Sequence, residues 1–300
     1  MKLPDFLIIG AMKSGTTTLY RDLLTNPAVY MPADKEPGHL CHDEVLTEQG
    51  TREYADLFRF AREDQCSGEA STNYSKIPRF NGVPERARKV CGERLRVFYI
   101  VREPVARIIS HHYHMHAIGM FGPDINEEVR KQSILLDYTR YATQIVPWMD
   151  TFGEAQVRPL IFEEYIRHRR ETIAEISGEL GIAPRPELVD ERSAYNRSDR
   201  KHGRPKMWQR LWATPVYRRY IQPRLPSGLR DRMRTLLYPK APPRPAPPTP
   251  ETVDYLIGEL GEEMDRFQRV LGRSEPIWDL REVREKHTLQ FERFTAAAND

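Results

Sequence analysis

The sequence predicts an α/β fold, a three-layer architecture with a mainly parallel central sheet and a helical C-terminal extension. Three observations predict it. Phe6-Leu7-Ile8-Ile9 is an unbroken apolar run without polar alternation, the pattern of a parallel strand buried on both faces. Further short apolar or β-branched runs then alternate with segments of helical apolar spacing, the order that builds strand–crossover–strand units. Past a proline-rich stretch, Val253, Leu256, Leu260, Met264 and Phe267 recur at helical intervals with no strand pattern among them.

Each element follows in order. A glycine-containing turn succeeds the first strand, and Leu19, Tyr20, Leu23 and Leu24 place a helix directly behind it. A second strand is expected at 66–71. The third, Leu95–Val101, is rich in β-branched and aromatic residues and ends at Arg102. Pro104 suits the first turn of a helix over 104–116. A fourth strand is expected around Val157–Phe162, before a helix carrying Ile166, Ile173, Ile176 and Leu180 that stops at Gly181. Residues 239–250 hold too much proline for helix or sheet and read as an extended connector. The helix after it stops at Gly272. No internal repeat is visible. The organisation reads as one α/β domain over residues 1–280 with the connector inside it, and 281–300 as a peripheral charged helical tail.

Composition narrows the function classes. The 300 residues are 39% hydrophobic and 30% charged, with a mean hydropathy of −0.65, which suits a soluble globular chain with a sizeable core. No apolar run approaches the ~18–20 residues of a membrane span. The opening apolar stretch ends at Gly10 and lacks a cleavage site, so it does not read as a secretory signal. Cys41, Cys66 and Cys91 have neither an even count nor CxxC spacing, which argues against a disulfide framework or zinc site and for a cytoplasmic location. The net charge is only +3, yet residues 197–240 contain thirteen Lys or Arg against two Asp or Glu. That segment is either an anion site or a solvated cationic face.

The most informative segment is Gly10-Ala11-Met12-Lys13-Ser14-Gly15-Thr16-Thr17-Thr18, between a buried strand and a helix. Unpaired amides and the helix dipole favour an anion at such a turn, and threonine hydroxyls can donate to phosphate oxygens. The loop is P-loop-like, with one departure from GxxxxGK[ST]. The lysine stands at 13, inside the loop, and the second glycine is followed by Thr16. This suits a nucleotide with a single 5′-phosphate carrying a different group.

Phe6 to Leu19 resembles the 5′-phosphosulfate loop of the sulfotransferase superfamily, which uses 3′-phosphoadenosine 5′-phosphosulfate (PAPS). The Lys-x-Gly-Thr-Thr form followed by Lys35-Glu36-Pro37 is most similar to the glycosaminoglycan (heparan sulfate-type) branch and its bacterial relatives. Val101-Arg102-Glu103-Pro104 through Ser110 resembles the family's second signature, and Gly68-Glu69-Ala70-Ser71 with Tyr74, Glu163-Glu164-Tyr165, and Leu271-Gly272 with Trp278 add weaker matches. The resemblance spans roughly residues 5–280. It implies that Lys13, Ser14, Gly15, Thr16, Thr17 and Thr18 hold the 5′ end of PAPS, and that Arg102 and Ser110 hold its 3′-phosphate. Lys201, Gly203 and Arg204 match more loosely a late loop that closes over the cofactor.

Sulfuryl transfer would then rest on positioning and charge stabilisation, with no metal expected. Lys13 is placed to meet the bridging oxygen as the bond breaks, either as a catalytic contact or as a static clamp. Glu36 is the expected base. Gly38-His39-Leu40-Cys41 departs from the family's usual run, which keeps His39 and His42 as competing bases. Lys35 reads as a contact or as a solvated charge, and Arg107 as a supporting or ion-paired residue. Among His111, His112, His114 and His116, adjacent positions point to different helix faces; His112 and His116 alone have i, i+4 spacing, and without a carboxylate motif the arrangement is poor for a metal. Trp208, Trp212, Tyr217 and Tyr220 suit an acceptor or adenine wall, or plain helix packing. The expected acceptor is a hydroxyl or amine of a small molecule, glycan or lipid, with no nucleic-acid partner. Two other classes stay open: a P-loop kinase, and a non-enzymatic polyanion-binding protein using 197–240.

Overall fold

The structure, a computed structural model, describes residues 1–192 and 242–299. The predicted α/β fold is present. Its strands are β1 Phe6–Gly10, β2 Val29–Tyr30, β3 Cys66–Ala70, β4 Arg96–Val101 and β5 Val157–Ile161. They form one sheet in the order β2-β3-β1-β4-β5, every neighbouring pair parallel. The helices before residue 192 are α1 Thr16–Leu23, α2 Glu48–Asp56, α3 Val83–Cys91, α4 Pro104–Ala117, α5 Ile125–Lys131, α6 Ile134–Asp137, α7 Tyr141–Phe152, α8 Phe162–Arg167 and α9 Arg169–Glu179. The C-terminal region is helical, with α10 Pro250–Val270 and α11 Leu280–Asn299. Among the described residues, no helix is long and apolar enough to cross a membrane.

Alternation along each strand divides the core into two layers. Leu7 and Ile9 face one side with Val97, Tyr99 and Val101, and are covered by α3, α7 and Phe267 of α10. Phe6 and Ile8 face the other with Phe98 and Ile100, and are covered by Leu19 and Leu23 of α1 and Ile173 and Ile176 of α9. This two-sided burial is why β1 carries no polar residue. Gly68 lies opposite Phe6 in register, and a Cβ there would come within 2.0 Å of the phenyl ring. The missing side chain lets Phe6 lie across β3. A third cluster joins Val105 and Ile108 of α4 to Leu256 and Leu260 of α10 and Val283 of α11.

Caps explain several boundaries. Glu103 caps α4, its side chain accepting from the amides of Val105 and Ala106, and Pro104 fills the first position. Thr249 and Pro250 do the same for α10, at the end of residues 242–249, which form neither helix nor strand. The helix expected over 166–180 is two, because the backbone leaves the helical region at His168. Tyr165 and Arg169, either side of that break, both close on Asp22 of α1. Arg169 Nη2 meets Asp22 Oδ1 at 2.6 Å, with both side chains almost fully buried. Removing one partner would strand a buried charge at a cost of about 3–5 kcal/mol. The pair therefore anchors the helix whose N-terminus opens on the candidate site.

Candidate active site

β1 lies between β3 and β4, so the loops leaving the C-terminal ends of these three strands converge on one crevice, the usual ligand position in a parallel sheet. The β1–α1 loop supplies the floor. Ala11 N donates to Ile100 O at 2.6 Å, tying the loop to β4. Lys13 then adopts φ 74° and Gly15 φ 97°. Gly15 is required by contact as well as conformation, since a Cβ would lie 2.5 Å from Phe162.

Among the described residues, two non-glycine residues have positive φ: Lys13 and Glu36, at 65°. They are also the two residues expected from sequence to carry the chemistry. Such conformations persist only where the surroundings hold them. For Lys13 the hold is Arg107, which is fully buried. Its Nε donates to Met12 O at 3.1 Å, and Nη1 donates to Leu135 O and to Thr139 Oγ1 at 3.0 and 2.6 Å. Nη2 lies 3.0 Å from His111 Nδ1, and a guanidinium only donates, so His111 accepts. Burial, with Arg107 beside it, pushes the His111 pKa well below its ordinary value. No carboxylate pairs with Arg107 among the described residues, so the supporting role fits it and the ion-pair reading does not.

The opening of α1 faces the crevice. Its first amides have no partners within the helix, and no acidic side chain occupies its first turn. Thr16 and Thr18 are nearly buried and Thr17 is half-buried, while Ser14 is fully buried with Oγ lacking a partner among the described residues. Lys35 arches over this turn, Nζ donating to Thr16 Oγ1 and Thr17 Oγ1, both at 3.2 Å. Burial lowers the Lys35 pKa to about 8; Glu36 opposes that shift and Arg21 adds to it. These donors and cations suit a phosphate-bearing anion, which would replace the water that burial has removed.

The next residue turns the other way. Glu36 N donates to Ala70 O at 2.9 Å, while Glu36 Oε2 accepts from Thr72 N and Thr72 Oγ1 at 2.7 and 2.9 Å. Its Oε1 stands 3.9 Å from Lys35 Nζ. Lys76, just beyond, donates to Asn73 Oδ1 at 2.7 Å, and its Nζ stands 5.5 Å from the Tyr138 ring centroid. Burial lowers its pKa to about 8 against the pull of Glu36. Beneath this loop, Glu69 is fully enclosed and accepts from the Tyr54 and Tyr74 hydroxyls, and burial raises its pKa to about 7. His39 and His42 instead pack on rings, against Tyr54 and Phe80 respectively. Burial lowers the His39 pKa.

Arg102 leaves the end of β4 with its guanidinium 5.1 Å from the Phe162 ring centroid, the same ring that abuts Gly15. Tyr141 Oη fixes the Arg102 carbonyl at 2.6 Å. Ser110 is half-buried on α4. The structure thus gathers Lys13 through Thr18, Lys35 and Glu36 around one loop, with Arg102 across Phe162. Lys201, Gly203 and Arg204, the aromatic residues 208–220 and the basic segment lie outside the described residues. Sequence reasoning missed Thr72 and Lys76. Their one available signal was position, because they follow the C-terminal end of β3 as Arg102 follows β4.

Comparison with known proteins supplies a family and a shared fold. The family model described as "Sulfotransferase domain" matches residues 3–209. A sulfotransferase from Alicyclobacillus acidocaldarius superposes with a TM-score of 0.57 at 19% identity, covering 92% of this chain and 98% of that one, and shares its fold. The sulfotransferase domain of the Synechococcus PCC 7002 olefin synthase gives 0.47 at 17% identity, over 70% and 84% of the two chains. A mouse sulfotransferase complexed with PAP gives 0.45 at 13% identity, over 67% of each chain. No curated protein matches the sequence significantly.

Proposed function

The chain belongs to the sulfotransferase family, and on that premise we propose that it moves a sulfuryl group from PAPS to a hydroxyl or amine of a small-molecule, glycan or lipid acceptor. The observation that carries this reading is the divergence of two consecutive residues. Lys35 points its ammonium at the hydroxyls of the first turn of α1, and Glu36 has its carboxylate pinned by Thr72 on the adjoining side. A donor anion seated on the loop and a proton acceptor for the incoming nucleophile are thereby set side by side.

In this mechanism the acceptor oxygen or nitrogen attacks sulfur in line, and the bond from sulfur to the phosphate oxygen breaks. The acceptor proton passes to Glu36. Lys13 meets the charge that grows on the departing phosphate oxygen, while the α1 amides, Thr16, Thr17 and Lys35 hold the 5′-phosphate. Arg102, with Ser110, takes the 3′-phosphate; its planar fork matches that group. PAPS fits this donor set, which is cationic, rich in hydroxyls and without an acid in the first turn of α1. A kinase would place the loop lysine after the second glycine, where Thr16 stands.

Thermal melting in the presence of nucleotides tests the reading. Adenosine 3′,5′-bisphosphate at about a hundred times its dissociation constant should stabilise the protein by about 2.7 kcal/mol, a shift of roughly 4 °C for a chain of this length. Mg-ATP should leave the melting point unmoved. The reverse pattern would assign the site to a kinase instead.

A pH dependence follows from Lys35. Its free-state pKa is lowered to about 8, and a bound phosphate favours the ammonium form and raises it. Binding therefore takes up a proton, and affinity should weaken as pH rises through about 8. The loss between pH 7 and 9.5 is expected to be about tenfold. Lys35→Arg, which stays charged, should flatten that slope in calorimetric titrations; an unchanged slope would move its origin to another group, Lys76 foremost.

A further inference from the structure

The turn that carries Arg102 is held from outside by the C-terminal segment. Glu103, the next residue, divides its carboxylate between two tasks. Oε1 accepts from Val105 N and Ala106 N at 2.7 and 3.0 Å, which starts α4. Oε2 accepts from His287 Nε2 at 2.8 Å and from Lys286 Nζ at 3.1 Å, both on α11. The Glu103–His287 contact is sealed, with side chains 4% and 2% exposed. A second tether runs parallel to it. Glu103 N donates to Glu163 Oε1 at 3.1 Å, and Glu163 Oε2 accepts from Trp278 Nε1 at 3.3 Å. Trp278 stands two residues before α11 begins. His287 is itself fixed by Gln290, whose Oε1 lies 3.1 Å from Nδ1.

This arrangement has an electrostatic consequence. Arg102 and Ser110 are the groups assigned above to a phosphate, yet the residue that follows Arg102 carries a carboxylate. An uncompensated Glu103 would repel the same anion that Arg102 attracts. We propose that α11 is a positioning element for the nucleotide's 3′-phosphate. In this arrangement the Lys286 ammonium offsets the Glu103 charge and the His287 N–H immobilises the carboxylate, so that Arg102 and Ser110 can engage that phosphate. The proposal rests on the reading of the Arg102 turn as the 3′-phosphate site. Burial alone would raise the Glu103 pKa; hydrogen bonding and charge from His287 and Lys286 overcome that and hold it at about 2. Glu103 is thus a full negative charge that must be answered locally.

The two ends of the nucleotide separate this role from plain structural support. Calorimetry would compare adenosine 3′,5′-bisphosphate with adenosine 5′-phosphate, which lacks the 3′ group, on the full chain. His287→Ala should weaken the bisphosphate about tenfold and leave the monophosphate unchanged. His287→Gln, whose amide can still donate to Glu103, should recover most of that loss. Lys286→Gln, at a side chain 53% exposed, should cost the bisphosphate about threefold without disturbing the fold. It carries the test alone if His287→Ala does not fold. Wild-type discrimination kept intact in the variants, or equal losses for both ligands, would overturn the role of α11. Wild-type protein that binds both nucleotides alike would overturn the Arg102 assignment beneath it, and the proposal with it.

Discussion

Lys13→Ala is expected to slow sulfuryl transfer by about 10²–10³-fold, the loss that follows when one preorganised donor to a developing oxyanion is removed. Its melting temperature should stay within a degree or two of the parent. The Lys13 backbone is held from Met12, where Arg107 donates to the carbonyl from a fully buried position. Truncating the side chain therefore leaves the loop path in place. The kinetic pattern decides between the two roles the sequence leaves to this lysine. A contact made mainly in the transition state lowers kcat while PAPS binds nearly as before. A static clamp raises the dissociation constant and spares kcat. Transfer from labelled PAPS into an extract, under single-turnover conditions, separates the two and also isolates the sulfated acceptor. Full activity in Lys13→Ala would remove the lysine from the chemistry and leave the α1 amides and Lys35 as the anion site.

The sequence made the frame of this site legible because the frame is local. Phe6–Ile9 had to be a two-sided strand, and it is β1; Pro104 had to begin a helix, and it begins α4. The loop from Gly10 to Thr18 could be placed at a helix N-terminus from spacing alone. What escaped was set by contacts between distant residues. β2 is two residues long, too short to show a period. The break at His168 accompanies the closure of Tyr165 and Arg169 on Asp22, nearly 150 positions away. Arg107 reads as one more helical charge until Met12, Leu135 and Thr139 are seen to converge on it. The left-handed backbone at Lys13 and Glu36 was equally invisible, since nothing in a lysine or glutamate announces positive φ.

Glu36→Gln should reduce kcat by about 10²–10⁴-fold, the range for loss of a positioned general base, with the acceptor KM changed only a few-fold. The substitution is conservative in shape. Thr72 N and Oγ1 donate to one carboxylate oxygen at 2.7 and 2.9 Å, and the glutamine carbonyl can accept both. The Ala70 anchor is a backbone bond and survives. What disappears is the second oxygen, which stands 3.9 Å from Lys35 Nζ and is the proton acceptor in the mechanism proposed above. An NH₂ group in its place can only donate. The rival is His39, whose lowered pKa keeps it neutral near pH 7 and thus competent as a base. It packs against Tyr54 at 5.4 Å between ring centroids, and His42 lies 5.8 Å from the Phe80 ring. Neither has a hydrogen bond that aims it at the β1–α1 loop among the described residues. His39→Ala and His42→Ala should therefore each keep at least about a third of the parent turnover, since neither removes the proton acceptor. If Glu36→Gln turns over normally while His39→Ala does not, the proton goes to the imidazole. Glu36 is then a hinge that turns Lys35 toward the phosphate loop, and its left-handed backbone serves that geometry alone.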